Sequence, residues 1–446
     1  MILSREKILV WTLMLIALMS FTFLRELLIV FYPILAFVLA YILKLKYRAT
    51  TLLFAAVFML IGLLSAALAG GYYLNYALSV YLIVPVFLLL TGSVVQWESS
   101  VSQPYFPKFM QMVITVLVIV NISAIIYSQL IIDPGVMNYD DAFTGFYGQA
   151  GLGSHTLSVV NLGVSVYCLS RRKYWSFAFF LICGVFGFYG LGLMVFVASL
   201  LLLYATRILR YWKMLLVMVL SAGVVLALIN SFNARNLEYI KTNIERALLV
   251  FDSYDYEEEL ARASRMEITQ TPRFITFLDG SAKRLTTDPR VFWIGAAPGG
   301  YNSRIAFYLN GDFIQNQWVR EHVQLRTPYH EEDIFPLLNR ELLAKPYNDG
   351  TRNQTFSSVV AVLLEYGFFL GGGYLLLFFG RIRRIRKQEP DAEKREFLTF
   401  MGYYTLILLG VQNYLEYPEI IFPIVIMFKL SEFDRRQEVQ TISHGD

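Results

Sequence analysis

Arginine is concentrated in one polar stretch of an otherwise apolar chain. Residues 232–354 contain 12 Arg and 3 Lys against 17 acidic residues, so the stretch is nearly neutral. A guanidinium group keeps its proton and binds phosphate oxygens in pairs through its planar fork. The near-neutral charge argues against a polybasic lipid anchor.

A glycine-rich turn lies inside this stretch, with the sequence GAAPGGYNSR at residues 295–304. Glycine accepts positive φ and lets the backbone approach another group closely. Two interpretations are therefore open: a tight structural corner, or a phosphate cradle. As a cradle, the turn would place Gly299, Gly300 and Tyr301 against the substrate and bring Arg304 toward the membrane surface.

Acidic side chains in the same stretch are candidates for proton transfer. The segment YHEEDIF (329–335) is typical of a solvated surface, but Glu332 or Asp333 could accept the proton of an attacking hydroxyl. His330 belongs to the same segment. Arg290 closes the sequence TDPR, which is typical of an ordinary turn.

The residue types predict no metal centre and no cofactor. Cys168 and Cys183 both fall within apolar spans, which excludes an external disulfide framework. The four histidines show none of the spacings of known metal motifs, and no P-loop or G-x-S-x-G sequence occurs. His155 lies at the end of an apolar span, where a packed or interfacial histidine is typical.

The elements that must position these residues are apolar helices. The chain is 56% hydrophobic and 16% charged, whereas soluble domains carry about 25% charged residues. Crossing a bilayer takes roughly 20 consecutive apolar residues, and such runs recur along the sequence. We therefore predict an all-α polytopic membrane protein with about 12 transmembrane helices. The predicted spans are 8–24, 27–43, 51–69, 73–91, 109–132, 153–170, 174–187, 189–205, 214–231, 355–379, 397–413 and 415–430.

Lys and Arg in short loops mark the cytoplasmic side of a membrane. With the N-terminus inside, every basic cluster lies in the cytoplasm, and the short outer loops contain a single basic residue, Arg25. The predicted organisation is spans one to nine (1–231), a large extracytoplasmic loop carrying the catalytic elements (232–354), spans ten to twelve (355–431) and a tail (432–446). Both termini are then cytoplasmic.

The order of these elements resembles a known family. Arg273 precedes the turn at 295–304, and the segment RNQTFSSVVAVLLEYGFFLGGGYLLL (352–377) opens the tenth span. Together with twelve spans and one large outer loop, this is similar to the bacterial O-antigen polymerase and O-antigen ligase (Wzy-like) group of membrane glycosyltransferases. Arg352 stands before Asn353 where ligase-like sequences usually have His, and this departure favours a polymerase.

The resemblance implies a GT-C-like fold in the bacterial cytoplasmic membrane and a polysaccharide polymerase acting on O-antigen, capsular or exopolysaccharide units. The donor would be a polyprenyl-diphosphate-linked oligosaccharide, with the polyprenyl diphosphate as leaving group. Partners would be the lipid bilayer and a polysaccharide chain-length regulator, without nucleic acid. The implied catalytic residues are Arg273, Arg352, Glu332 and Asp333. The implied substrate contacts are Arg290, Arg304, Gly299, Gly300, Tyr301, Asn353, His155 and His330.

Three alternatives remain open at the level of the sequence. A ligase would transfer the glycan to lipid A or to protein. A flippase of lipid-linked sugars would need ionisable residues at mid-membrane depth, and spans one to nine contain almost none. A membrane-bound acyltransferase would need a histidine deep in a span, and only His155 is near one.

The topology makes a testable prediction. A cysteine replacing Ser281 is expected to react with a membrane-impermeant maleimide in intact spheroplasts, because residues 232–354 are predicted to lie outside. Labelling that requires disruption of the membrane would contradict this arrangement.

Overall fold

The computed structural model describes most of the chain. It covers residues 5–95, 104–131, 142–148, 152–187, 190–208, 254–265, 269–309, 325–338 and 357–443, with a few isolated positions between them. Two predicted site residues, Arg352 and Asn353, and nearly all of the predicted ninth span (214–231) lie outside the described residues.

The described chain is helical apart from one short ladder, because long apolar runs satisfy their backbone hydrogen bonds locally. The first eight helices are α1 (Arg5–Phe21), α2 (Arg25–Ile42), α3 (Ala49–Ala69), α4 (Tyr73–Thr91), α5 (Tyr105–Ile126), α6 (Leu152–Ser170), α7 (Tyr174–Phe186) and α8 (Gly190–Ile208). The later ones are α9 (Tyr256–Ser264), α10 (Arg273–Thr287), α11 (Pro289–Ile294), α12 (Arg304–Tyr308), α13 (Ser358–Glu365), α14 (Phe368–Lys387), α15 (Ala392–Val411) and α16 (Pro418–Ser443). Strands β1 (Leu45–Lys46) and β2 (Ser93–Val94) pair antiparallel.

Four helices of the described residues are long and apolar enough to cross a membrane. They are α2, α3, α4 and α5, the last extended by a π-helical turn to Ile131, with hydropathies from 1.9 to 2.6. Large apolar side chains such as Phe37 (74% exposed) and Leu60 (64% exposed) project outward from them. Such surfaces suit lipid rather than water. The protein is therefore an all-α membrane protein.

Helix α16 runs through the middle of the bundle. Residues 413–434 are all buried, and the helix packs against α1, α2, α4 and α5. A helix buried on every side cannot be amphipathic, which explains why its apolar residues continue around its whole circumference. The carboxylate of Asp434 accepts hydrogen bonds from the amides of Tyr105 (2.9 Å) and Phe106 (2.8 Å), which fixes the start of α5 beside α16.

Hydrogen bonds and ion pairs connect the turns at each end of the bundle. At one end, the amide of Phe23 donates to the carbonyl oxygen of Phe146 (2.8 Å), and Arg304 donates to the carbonyl oxygen of Glu416 (3.0 Å). At the other end, near the β1–β2 ladder, Arg381 forms an ion pair with Glu432 (2.7 Å). The sidedness that the basic residues predict for these turns stays a prediction.

A smaller core lies on the first of these ends. Helices α9, α10 and α11 and the segment 330–337 bury Phe277, Val291, Tyr301 and Ile334 against one another. Contacts from α10 and α11 to α13 join this unit, the loop unit, to the bundle. The buried residues of α10 are Thr276, Phe277, Gly280 and Ser281, which lie on one side of the helix and face this core.

The fold shows that Ser281 is a poor position for the topology experiment. Ser281 is 4% exposed, and its hydroxyl lies 3.4 Å from that of Tyr301, so a cysteine there would be poorly reactive. We expect Thr286→Cys, exposed on α10, to react with the impermeant maleimide in intact spheroplasts. Gln388→Cys, exposed between α14 and α15, should react after membrane disruption alone. The reverse pattern would invert the topology.

Candidate functional site

The glycine-rich turn wraps around a buried carboxylate. Glu365 is 1% exposed. One of its oxygens accepts the amide of Gly299 (2.6 Å), and the other accepts the amides of Tyr301 (2.9 Å) and Ser303 (3.1 Å). Charge-assisted bonds to backbone amides are short and strong. The donors that would cradle a phosphate therefore point at a carboxylate of the protein itself.

Glycine is required at two positions of this turn. Gly295 has φ 90° and Gly299 has φ 68°. A Cβ at Gly295 would stand 2.2 Å from the carbonyl oxygen of Glu365, and one at Gly299 would stand 2.6 Å from that of Asn75. Of the two interpretations of the sequence, the geometry favours the structural corner. Contacts of Gly299, Gly300 and Tyr301 with substrate stay a prediction.

Helices α3 and α4 hold the turn from the other side. The Ser65 hydroxyl donates to the carbonyl oxygen of Gly295 (2.8 Å) and accepts the amide of Ala297 (3.0 Å). The Asn75 amide donates to the carbonyl oxygens of Gly299 (2.7 Å) and Leu325 (3.0 Å). Two polar residues inside apolar helices are thus used to satisfy the buried backbone of the turn.

Arg304, the last residue of the turn, lines a cavity of about 320 Å³ at the same end of the bundle. Arg304 is 8% exposed. Its guanidinium group lies over the ring of Tyr417 (3.7 Å) and donates to the carbonyl oxygen of Glu416 (3.0 Å). Its Nε is buried and has no hydrogen-bond partner among the described residues. The cavity is lined by Arg25, Glu26, Ile29, Leu82, Arg304, Ile305, Tyr308 and Glu419.

Three further charged residues line the cavity, Arg25 and Glu26 from the start of α2 and Glu419 from the start of α16. Arg25, at the start of α2, is buried with its guanidinium group over the ring of Tyr147 (4.2 Å). Glu419, at the start of α16, is buried 4.0 Å from Arg304. Within the described part of the chain, Nη1 of Arg25 and Oε2 of Glu419 have no hydrogen-bond partner.

Three charged side chains at the cavity, Arg25, Arg304 and Glu419, have buried polar atoms without hydrogen-bond partners in the described chain. Leaving one N–H of a buried guanidinium group unpaired costs about 1–3 kcal/mol, and more where the group is charged. The unpaired atoms are themselves enclosed, so what the two arginines offer a ligand in the cavity is their positive charge. The lining contains two guanidinium groups and two carboxylates, so it suits a polar ligand whose oxygen atoms face the arginines and whose proton a carboxylate can accept.

The predicted acidic residues lie in the loop unit. Arg284 binds Asp333 through two nitrogens (2.8 and 2.7 Å) and Glu332 through one (2.7 Å), and the Tyr301 hydroxyl also donates to Asp333 (3.1 Å). The hydrogen bonds of Asp333 raise the pKa of Arg284, and burial raises that of Tyr301. Arg284, which matches no family motif, is therefore the residue that orders both carboxylates.

The other predicted residues occupy separate positions. Arg273 donates to the carbonyl oxygen of Leu337 (2.9 Å). Arg290 donates to the carbonyl oxygen of Ser65 (3.3 Å). His155 is half-buried in the first turn of α6.

His330 is buried below the turn at 295–304. Its Nδ1 lies 2.6 Å from the carbonyl oxygen of Tyr301, so this nitrogen carries the proton and donates it. Burial lowers the pKa of His330 to about 4, which keeps the ring neutral at physiological pH. Nε2 has no hydrogen-bond partner among the described residues. The side chain supports the turn from the loop unit.

Of the predicted site residues that are described, Arg304 alone lines the cavity. Arg273, Arg290, His330, Glu332 and Asp333 belong to the loop unit or its edge, and their roles stay predictions. Sequence reasoning missed Arg25, Glu365 and Glu419. Arg25 had left a signal, since it is the one basic residue of the short outer loops.

Known proteins add no assignment to this geometry. No protein-family model matches the chain, and no curated protein is significantly similar to its sequence. Where the structure is described, no three metal-ligating side chains converge, and independence from metal stays a prediction.

The corner makes a prediction about stability. Glu365→Gln keeps the shape of the side chain but removes its charge and one of its two acceptor oxygens, so buried amides of the turn lose their partners. Each unsatisfied donor costs about 1–3 kcal/mol, so we expect a clear fall in the thermal unfolding midpoint, measured by intrinsic fluorescence in nanodiscs. Glu267→Gln is the matched control, because Glu267 is half-exposed and pairs locally with Arg265. Equal midpoints for both variants would contradict the role of Glu365.

Proposed function

We propose that the protein is a polysaccharide polymerase that joins polyprenyl-diphosphate-linked oligosaccharide units on the outer face of the bacterial cytoplasmic membrane. The main support for this proposal is a pair of buried arginines, Arg25 and Arg304. Both line one cavity of about 320 Å³ at the end of a bundle of apolar helices. A lipid-linked diphosphate has a negatively charged head and an apolar tail. The arginines would bind the head, and the apolar helices would contact the tail. About 12 spans, the outer loop at 232–354 and cytoplasmic termini belong to the same proposal.

The proposed reaction is a single displacement at a sugar carbon. A hydroxyl of the acceptor unit attacks the anomeric carbon of the donor glycan, and the bond from that carbon to the diphosphate oxygen breaks. The polyprenyl diphosphate leaves with the bonding electrons. Negative charge grows on it during this step, and preorganised donors placed where charge develops lower the barrier. Arg25 and Arg304 supply those donors.

The proton of the acceptor hydroxyl also needs a destination. Glu419 lines the same cavity, and its Oε2 is buried without a hydrogen-bond partner among the described residues. In the proposal this carboxylate accepts the proton as the new glycosidic bond forms. Asp333 and Glu332, the candidates from the sequence, pair with Arg284 in the loop unit. Glu419 is also ion-paired, with Arg304 at 4.0 Å, and it is preferred because it lines the cavity.

Substitution of the two cavity arginines tests the proposal. Lysine keeps the charge but loses the planar fork, so Arg25→Lys and Arg304→Lys should each lose roughly 10² in polymerisation rate, equivalent to about 3 kcal/mol. The measurement is polymer length and amount from lipid-linked repeat units and purified protein in nanodiscs, with size-exclusion profiles as a check on folding. Arg265→Ala is the control, because Arg265 is exposed and pairs with the nearby Glu267 (2.9 Å).

The same assay separates the competing assignments. Normal polymerisation by both cavity variants, with loss in Arg273→Lys and Arg352→Lys, would move the site to the positions implied by the family motifs. Chain growth without lipid A or protein acceptor supports a polymerase over a ligase. A separate measurement in proteoliposomes tests the flippase: transport of lipid-linked units without chain growth would replace the enzyme with a flippase. Inhibition by EDTA that a divalent cation reverses would show that a metal takes part.

A further inference from the structure

Helix α11 lies beside the last turn of a membrane helix. Arg290, in α11, donates to the carbonyl oxygen of Ser65 (3.3 Å), and the Ser65 hydroxyl donates to the carbonyl oxygen of Gly295, just after α11 (2.8 Å). Ser65 precedes the end of α3 at Ala69 by about one turn, or roughly 6 Å along the axis. Helix α3 is an uncharged apolar helix of 21 residues. Both ends of α11 are therefore bonded at the depth where α3 leaves the apolar layer.

Four aromatic side chains form one patch at this depth. Phe292 stacks on Phe368 with ring centroids 5.4 Å apart, and Trp293 stacks on Phe369 at 5.1 Å. Trp293 is 61% exposed, Phe369 54% and Phe368 42%. Val291 of the same helix is fully buried, so α11 directs one side to the loop unit and its aromatic side outward. We call these four residues the aromatic patch.

The aromatic patch is continuous with the apolar surface of the bundle. Helix α3, which α11 contacts, exposes Leu64 (45%) and Leu68 (56%), and α14, which contributes half of the patch, exposes Leu376 (76%) further along. A contiguous apolar surface of this kind marks an interaction site. Aromatic residues are enriched at the two membrane–water interfaces, where their amphipathic rings lie among the headgroups.

We propose that the aromatic patch inserts into the interfacial layer of the bilayer and anchors the loop unit to the membrane. The occupant is lipid rather than a glycan, because the rings already stack on one another in pairs and the patch continues the lipid-facing surface of α3 and α14. The anchor also has a geometric consequence. Helix α11 leads directly into the turn at 295–304, so its depth sets the depth of Arg304. This inference does not depend on the proposed reaction.

Site-directed spin labelling of the whole protein in nanodiscs tests the anchor. Both native cysteines are buried, which leaves single introduced cysteines as the reactive sites. The nitroxide at Trp293→Cys is expected to collide more often with oxygen, which concentrates in lipid, than with a water-soluble nickel chelate. Leu376→Cys on α14 is the lipid-facing reference, and Thr286→Cys, exposed on α10, is the water-facing reference. The ratio of the two collision rates at 293 should approach that at 376 and exceed that at 286 several-fold.

Three results would overturn the anchor. The first is a ratio at 293 equal to that at 286. The second is immobilisation of the label at 293 by soluble oligosaccharide, which would make the patch a glycan surface. The third is dipolar broadening between labels at 293, which would make it a contact between two copies of the chain. A normal size-exclusion profile for each labelled variant shows that the fold is retained.

Discussion

The arrangement of the turn at 295–304 and of the loop unit depends on the hydrogen bonds that the carboxylate of Glu365 accepts. This carboxylate accepts three backbone amides from the turn at 295–304, and few other groups can satisfy so many buried donors at once. This turn also places Arg304 at the cavity and Tyr301 in the core of the loop unit. Because a buried carboxylate and buried amides are each costly alone, neither side can move away without the other. The position of Arg304 is therefore set by a residue that does not touch it.

The two ends of the bundle use buried charge differently. At the end near β1 and β2, Lys429 and Arg381 both pair with Glu432 (2.9 and 2.7 Å) and donate to the carbonyl oxygen of Gly92. Those groups complete one another and stabilise the junction of α4, α14 and α16. At the other end, Arg25 retains a buried nitrogen without a hydrogen-bond partner in the described chain. The first set of charges is therefore structural, whereas the charges beside the cavity are the ones to which we assign the proposed ligand.

The loop unit connects these features to the membrane. Its core around Phe277 and Val291 packs on α13, and its acidic side chains are ordered by Arg284. On its outer side, the aromatic patch continues the surface of the apolar helices. A lipid-linked substrate has its diphosphate at the headgroup level, so a binding site for it must be fixed relative to the bilayer. Under the proposed function, the Ser65 contacts and the exposed aromatic rings would together fix it.

The sequence alone determined the helical class and the membrane setting, because apolar runs and local backbone hydrogen bonds decide both without reference to distant residues. The basic clusters predict a sidedness for the turns, which stays a prediction. Motif reasoning reached Arg304 but assigned the glycine turn two possible roles. The choice between them depended on Glu365, which is 66 residues from Gly299 in the chain. Arg25, Arg304 and Glu419 come from three separate parts of the chain, and they share a cavity because α2, α12 and α16 pack at one end of the bundle. Only the tertiary structure decides this, since the pairing of buried charges is set by how helices pack and has no signature in local sequence.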